Sequence, residues 1–315
     1  MLFRYAATIA PMRRVLLWMA RNPWLRKWVP RLWFVRRALR RFMPGETLED
    51  ALGAAATYQP KGIGTLFTHL GENLVDPAEA DAVAAHYLGA LDRIRARGID
   101  GEISLKLTQL GLDLDPAMAR RHLAALATRA RELGAGTVWI DMEGSDYTEA
   151  TVALYEELRP EHPNLGICLQ AYLKRTAIDI ERLLPLQPAI RMVKGAYDEP
   201  ARIAYRTRSE VDAAFVAGCV TILRDGNARL GLGTHDVRLI EQIGASAEAS
   251  GILREAYEVQ MLYGIRSGEL ERLALGGYPA RVLIAYGEFW DPWYVRRLAE
   301  RPANVTFVLR QLLPW

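Results

Sequence analysis

Between about residue 60 and residue 287, short runs rich in apolar and β-branched residues alternate with longer runs of helical periodicity. Eight of the short runs read as strands, because each is six to ten residues long and lies between turn residues. One helix between them is marked at both ends, since Asp115 and Pro116 are typical of a first turn and Gly134 of a helix end. The predicted strands are 65–71, 102–111, 137–143, 164–172, 189–197, 229–236, 257–262 and 281–287.

Strands that alternate with helices pair in parallel through right-handed crossovers. Eight of them favour a closed barrel over an open, doubly wound sheet. The predicted fold is therefore α/β, a (β/α)8 TIM-like barrel with an N-terminal helical arm. Three Gly-x-Gly fragments, which begin at Gly62, Gly134 and Gly231, never extend to G-x-G-x-x-G, so we expect no Rossmann nucleotide site.

The N-terminal segment differs from the rest of the chain in charge, with eleven basic residues and no acidic one between Met1 and Met43. Trp and Leu recur there at helical spacing, and Pro23 and Pro30 divide the segment into short helices. Two interpretations of this segment are compatible with each other. In one it packs on the barrel with its arginines facing water, and in the other its Trp and Leu side chains lie in the surface of an anionic membrane. We divide the chain into a basic helical arm, 1–58, and a (β/α)8 barrel, 59–315.

Composition excludes several other classes of protein. The net charge of +3 is too small to indicate nucleic-acid binding. Cys168 and Cys219 lie far apart in apolar surroundings and are expected to be buried thiols, and no Cys/His spacing predicts a metal site. No apolar run is long enough to span a bilayer and no signal peptide is evident. The prediction is a cytoplasmic protein, with contact at the inner face of the cell membrane through the arm.

Polar residues stand near the carboxyl ends of most predicted strands, the end where barrel enzymes bind their substrates. Packing alone would favour Val, Ile and Leu there, so the convergence of several polar groups on one rim predicts an active site. These residues are Glu72, Lys106, Asp141, Gln170, Arg191, Lys194, His235, Gln260 and Tyr286. Beyond the last strand, Arg296 and Arg297 could clamp a carboxylate, and Glu300 is four residues from Arg296 on the same helix face.

The runs SLKL, DMEGS, LQAY, RMVKGAY, GTHD, EVQMLYG and YVRRLAE follow one another in this order. In these motifs the chain resembles the monofunctional bacterial proline dehydrogenases over roughly residues 60–310. The resemblance implies a distorted barrel that binds FAD and oxidises L-proline to 1-pyrroline-5-carboxylate by hydride transfer to flavin N5. It also implies a quinone as electron acceptor and a pyrroline-5-carboxylate dehydrogenase that takes the product.

The resemblance also implies roles for individual residues. Lys106 and Arg191 would be catalytic, the first by favouring loss of the amine proton and the second as a cation near flavin N5. His235 is either a general base or a hydrogen-bond donor, and we favour the donor. The implied cofactor contacts are Gln170, Arg191, Val193, Lys194, Gly195, Ala196, Thr234 and His235. The implied substrate contacts are Lys106, Asp141, Tyr197, Leu262, Leu283, Trp293, Arg296, Arg297, Glu300 and Glu72.

Two positions depart from the family pattern. Leu283 and Trp293 stand where the family usually has tyrosines that pack around the substrate ring. The resemblance therefore implies the type of reaction more firmly than the identity of the substrate. Hydroxyproline, pipecolate or an N-substituted proline is an alternative substrate.

Two interpretations from other classes stay open at this stage. One is a non-catalytic flavin or amino-acid binding protein. The other is a barrel aldolase that uses Lys106 or Lys194 as a Schiff-base lysine.

Overall fold

The computed structural model describes residues 41–71 and 74–288 of the chain. Strands and helices alternate through this part of the molecule, as the sequence pattern predicts. The strands are β1 (Gly64–His69), β2 (Gly101–Leu105), β3 (Val138–Ile140), β4 (Leu165–Gln170), β5 (Ala189–Val193), β6 (Arg229–Gly233), β7 (Tyr257–Leu262) and β8 (Ala280–Tyr286). The helices are α1 (Leu48–Ala56), α2 (Pro77–Ala96), α3 (Pro116–Leu133), α4 (Ser145–Leu158), α5 (Thr176–Leu183), α6 (Arg208–Asp225), α7 (Val237–Ala249) and α8 (Ser267–Leu275).

The strands in the described residues form a closed barrel in chain order. Every neighbouring pair is parallel, and β1 closes the barrel against β8 from Gly64 opposite Arg281 to His69 opposite Tyr286. The predicted (β/α)8 barrel is confirmed. All carboxyl ends of the strands therefore meet at one end of the molecule.

Alternate residues of each strand face opposite sides of the sheet, and the two sides differ in composition. The outward side is apolar and packs against the helices in one large core, to which Ile103, Ile140 and Met192 belong. The inward side carries a small separate cluster, Leu66, Trp139, Ala189 and Leu283, between layers of polar side chains. The barrel is thus stabilised from outside, which leaves inward positions for chemistry.

Helix α3 shows how the sequence fixes element ends. Asp115 accepts the backbone N–H of Ala117 at 2.9 Å, Pro116 occupies the first turn, and Gly134 ends the helix in the left-handed region at φ 63°. The predicted boundaries of this helix are confirmed.

The described part of the proposed arm, residues 41–58, packs on the barrel. Helix α1 buries Leu48, Ala51, Leu52 and Ala55 in the outer core. Residues 1–40 lie outside the described residues, so the division of the chain at residue 58 stays a prediction. Within the described ranges, no helix is long and apolar enough to cross a membrane.

Six of the eight strands, β1 to β6, are shorter than predicted, and the ends of β2 and β5 change the positions of two site lysines. β2 ends at Leu105 and continues as a 3₁₀ turn, Leu107–Leu110, and β5 ends at Val193. Lys106 and Lys194, which the sequence placed on strands, therefore lie in the first loop positions after them. In β5 the physical reason is Gly195, whose φ of 116° ends the extended backbone.

Candidate active site

A cavity of about 930 Å³ opens at the carboxyl ends of the strands. Its size lies within the range of small-molecule and cofactor pockets, roughly 300–1,000 Å³. Gln260 of the predicted rim lines this cavity, but Tyr286 does not, because its side chain is buried in the outer core with its hydroxyl 2.8 Å from His86. Thirteen of the predicted cofactor and substrate contacts fall within the described residues, and all thirteen line the cavity. They are Lys106, Asp141, Gln170, Arg191, Val193, Lys194, Gly195, Ala196, Tyr197, Thr234, His235, Leu262 and Leu283.

The other five predicted site residues lie outside the described residues. They are Glu72, Trp293, Arg296, Arg297 and Glu300. The carboxylate clamp of Arg296 and Arg297 therefore stays a prediction, as do the implied substrate contacts of Glu72, Trp293 and Glu300.

Arg191 is the most deeply buried cation of the cavity, with 3% of its side chain exposed. Its Nη2 donates to Ser104 Oγ and to Asp141 Oδ1, both at 2.7 Å. Its Nη1 is also buried, and among the described residues it has no hydrogen-bond partner. Burial would lower the pKa of Arg191, but the charge of Asp141 outweighs that effect and holds the pKa above its ordinary value. Arg191 is thus a fixed cation with a donor left to offer.

The loop after β5 lines the cavity from Lys194 to Tyr197. A Cβ on Gly195 would lie 2.1 Å from the ring of Tyr172, so only glycine fits there. Glu199 fixes the far side of the loop, because its carboxylate accepts the backbone N–H of Ser145 at 2.7 Å and the Ser145 hydroxyl at 2.6 Å. The backbone from Lys194 to Tyr197 is therefore held against the cavity.

A cluster of cations surrounds two carboxylates at one side of the cavity. Lys194 Nζ lies 2.5 Å from Asp212 and 3.4 Å from Asp236, and Arg208 and Arg238 reach Asp236 at 2.9 and 3.1 Å. Burial would raise the pKa of Asp236, but hydrogen bonds from Arg238 and Arg208 and the charge of Lys194 lower it to about 2. Three cations against two anions leave a positive edge, which suits a phosphate group.

His235 has a defined tautomer. Its Nε2 accepts the backbone N–H of Leu262 at 3.0 Å. A neutral imidazole that accepts at Nε2 carries its proton on Nδ1. In this tautomer Nδ1 of His235 carries the proton, and its Nε2 lone pair is already used.

Within the described ranges, no group of three or more His, Cys, Asp or Glu side chains could hold a metal ion. The donors that line the cavity are guanidinium, ammonium, amide and imidazole groups instead. This set suits an anionic or hydrogen-bonding organic ligand.

Comparison with known proteins identifies the family. The sequence model described as proline dehydrogenase matches residues 51–310. Proline dehydrogenase 1 of Bacillus subtilis (strain 168) is 36% identical over 302 residues, which are 96% of this chain and 99% of the relative. The proline dehydrogenase of Deinococcus radiodurans is 37% identical over 286 residues, which are 87% of this chain and 89% of the relative. The chain belongs to the proline dehydrogenase family.

A solved structure shows the same fold. Proline utilization A from Bdellovibrio bacteriovorus, inactivated by N-propargylglycine, superposes with a TM-score of 0.78 at 24% sequence identity. The match covers 84% of this chain and 33% of that chain, so this proline dehydrogenase family member spans about a third of the larger protein.

The aldolase interpretation offered Lys106 or Lys194 as its Schiff-base lysine. In this proline dehydrogenase family member Lys194 forms ion pairs with Asp212 and Asp236, which are not the apolar or cationic surroundings that activate such a lysine.

Sequence reasoning missed several residues of this site. Asp212 and Asp236 lie 18 and 42 positions from Lys194, and only the fold brings them together.

His69 lines the cavity at the end of β1, where the sequence pattern drew attention to Glu72 instead. Its ring packs against His86 with centroids 4.3 Å apart, and His86 Nε2 lies 2.8 Å from the hydroxyl of Tyr286. The sequence signal for His69 was its place near the carboxyl end of the predicted strand 65–71.

Proposed function

We propose that this member of the proline dehydrogenase family uses FAD to oxidise L-proline to 1-pyrroline-5-carboxylate and passes the electrons to a quinone. The observation that carries the proposal is Arg191, a buried cation in the cavity whose Nη1 has no partner among the described residues. A buried guanidinium N–H without a partner is costly unless a ligand accepts its hydrogen bond.

The residues of the cavity fit FAD in three respects. Arg191 offers a donor and a positive charge, and Gln170 stands at the end of the neighbouring strand β4. The backbone of Gly195 and Ala196 lets a flat ring approach closely. The cations around Asp236, together with donors from Thr234 and His235, suit the phosphate end of the cofactor. When bound, the flavin accepts a hydride from the substrate carbon next to the ring nitrogen.

The task of Arg191 is electrostatic. Its position is fixed by Ser104 and Asp141, and a charge held in a buried site acts more strongly than it would in water. We assign to it the stabilisation of the negative charge that develops on the cofactor side of the cavity.

Lys106 and Asp141 belong to the substrate side. Lys106 follows directly on β2 and lines the same cavity as Arg191. A cation near the substrate nitrogen favours loss of the ammonium proton, which must precede or accompany hydride transfer. Tyr197, Leu262 and Leu283 supply the apolar wall. The predicted clamp of Arg296 and Arg297, which lies outside the described residues, would bind the substrate carboxylate.

The alternative substrate rests on Leu283. Its side chain packs with Leu66, Trp139 and Ala189 inside the barrel and reaches the cavity without a hydroxyl group. An apolar wall rejects an added hydroxyl by only about a hundredfold. Turnover of L-proline, 4-hydroxyproline and pipecolate, measured in parallel, distinguishes the two substrates. A kcat/KM for hydroxyproline at or above that for proline favours the alternative, and a kcat/KM for proline far above the other two rules the alternative out.

The partners follow from the same proposal. A quinone takes the electrons, a pyrroline-5-carboxylate dehydrogenase consumes the product, and the basic arm meets the membrane surface where the quinone resides. The eleven basic residues of the first 43 support the last of these contacts.

The cofactor is tested directly on the purified protein. After denaturation, the released nucleotide is identified by chromatography and quantified against the chain. We expect FAD, and recovery of FMN or of no nucleotide from a folded protein that has been offered FAD would contradict the proposal.

A further inference from the structure

Trp139 fills the middle of the barrel interior and is fully buried. Its neighbours are small where the indole lies, since a Cβ on Gly166 of β4 would come within 2.6 Å of the ring. Ala189 of β5 belongs to the same interior cluster. The small residues around the indole therefore fit this one large side chain closely. So close a fit is more than a residue that only fills space would need.

Two guanidinium groups approach the Trp139 ring. Cζ of Arg191 lies 5.1 Å from the ring centroid and Cζ of Arg229 lies 5.3 Å from it. The strand register places Trp139 in one row with Ala189 and Arg229, whereas Arg191 lies two residues further along β5. The ring therefore contacts both a cation of the cavity and a cation nearer the amino ends of the strands.

Beyond the ring, towards the amino ends, lies a buried ion-pair network. Glu102 Oε2 accepts the indole N–H of Trp139 at 2.7 Å, and Glu102 Oε1 pairs with Arg229 at 2.7 Å. Arg281 lies 3.2 Å from Glu258 and 3.8 Å from Glu102. Burial would raise the pKa of Glu102, but Arg281 and Arg229 outweigh it and hold the pKa below its ordinary value, so the carboxylate is charged.

We propose that Trp139 is a positioning residue for the oxidation, one that supports the Arg191 guanidinium from the amino side and keeps the Glu102 carboxylate away from it. A cation over an aromatic face is favourable when both are desolvated. Without the indole, Glu102 loses the N–H that holds it, and the strong attraction between buried charges draws Arg191 and Glu102 together. The positive charge that serves the cavity would then be partly neutralised.

This inference rests on the proposed function, because it assigns the charge of Arg191 to the flavin. Trp139→Leu and Trp139→Phe test it as a matched pair, since Phe keeps an aromatic face and Leu does not. Trp139→Met, which fills space without such a face, replaces the Leu variant if that protein does not fold. Circular dichroism and flavin content confirm that each variant is folded and loaded.

We expect the Leu variant to show a lower flavin reduction potential and a rate of flavin reduction about tenfold slower, with KM for proline within about twofold of the wild type. The Phe variant keeps the aromatic face but lacks the N–H that holds Glu102, so it should lie between the Leu variant and the wild type in both quantities. Loaded Leu and Phe variants with one common potential would overturn the proposal, because a purely structural tryptophan would change stability alone.

A second readout needs no cofactor. The unfolding equilibrium of the apoprotein is measured for Trp139→Leu, Arg191→Met and the double variant. Since the ring and the guanidinium contact each other, the effect of Trp139→Leu on the unfolding constant should be about fivefold smaller in the Arg191→Met background. Additive effects would contradict the inference, whereas a wild-type protein that binds no flavin would contradict the proposed function instead.

Discussion

At the scale of single residues, the site depends on charged groups that the barrel holds in fixed positions. Arg191 is oriented by Ser104 and Asp141, and Lys194 is neutralised in large part by two aspartates. Lys106 lies directly after β2 and lines the cavity on the side that we propose for the substrate. We therefore assign the effect on the substrate nitrogen to Lys106 and not to Lys194.

This assignment predicts the behaviour of Lys106→Met. The variant should bind flavin normally but reduce it with substrate about a hundredfold more slowly at neutral pH, because the amine proton is lost less readily. Raising the pH should recover part of the rate. Stopped-flow reduction over a pH series measures both, with the flavin spectrum as the loading control; an unchanged rate contradicts the role.

His69 gives a prediction about stability and pH. Burial, with the neighbouring His86 as a second cause, lowers the pKa of His69 from 6.5 to about 4. The unfolded chain therefore binds a proton between pH 6.5 and 4 that the folded protein does not, and stability is lost as the pH falls through this window. The thermal midpoint of His69→Leu should fall less between pH 7 and pH 5 than that of the wild type. Parallel curves would show that His69 contributes nothing.

At the scale of elements, the loop between β5 and α6 connects the cavity to a helix on the outside of the barrel. Helix α4 has Gly144 at its N-cap, which offers no side chain, and Glu199 of the loop binds Ser145 in its place. Arg206 in turn donates to the carbonyl of Glu199 at 2.7 Å. The capping of α4 and the conformation of the loop between β5 and α6 therefore depend on the same residue, Glu199.

Glu199→Ala should accordingly have two effects. It should lower the free energy of unfolding by about 1–2 kcal/mol, as the loss of a helix cap does, and it should weaken FAD binding because the loop is released. Glu199→Gln should lie between Ala and the wild type. The matched control is Asp115→Ala, which removes the N-cap of α3 away from the cavity and should affect stability alone. Equal FAD affinity in the two Ala variants contradicts the link.

At the scale of the whole molecule, the sequence predicted the architecture well and the site in part. Eight short apolar runs were enough for the barrel, because strand and helix periods differ clearly. The end of β5 was not predictable from RMVKGAY, since the run looks continuous and only the φ of Gly195 interrupts it. The aspartates around Lys194 and the inward direction of Trp139 depend on contacts between distant elements, which no local pattern contains.

The basic arm can be tested as a separate part of the molecule. Phe42 and Met43 are buried, so a deletion should stop at residue 40 to leave the barrel intact. We expect the shortened protein to keep its flavin and its turnover with a soluble electron acceptor, and to lose sedimentation with anionic vesicles. Vesicle binding that survives the deletion would assign the contact to the barrel.

The central claim is that the polar rim of this barrel holds a flavin which L-proline reduces. The most direct measurement is the visible absorption spectrum of the purified protein, recorded without oxygen before and after L-proline is added. We predict flavin bands that bleach with proline and return when a quinone is supplied. A folded protein without flavin bands, or one whose bands persist in excess L-proline, would contradict the account.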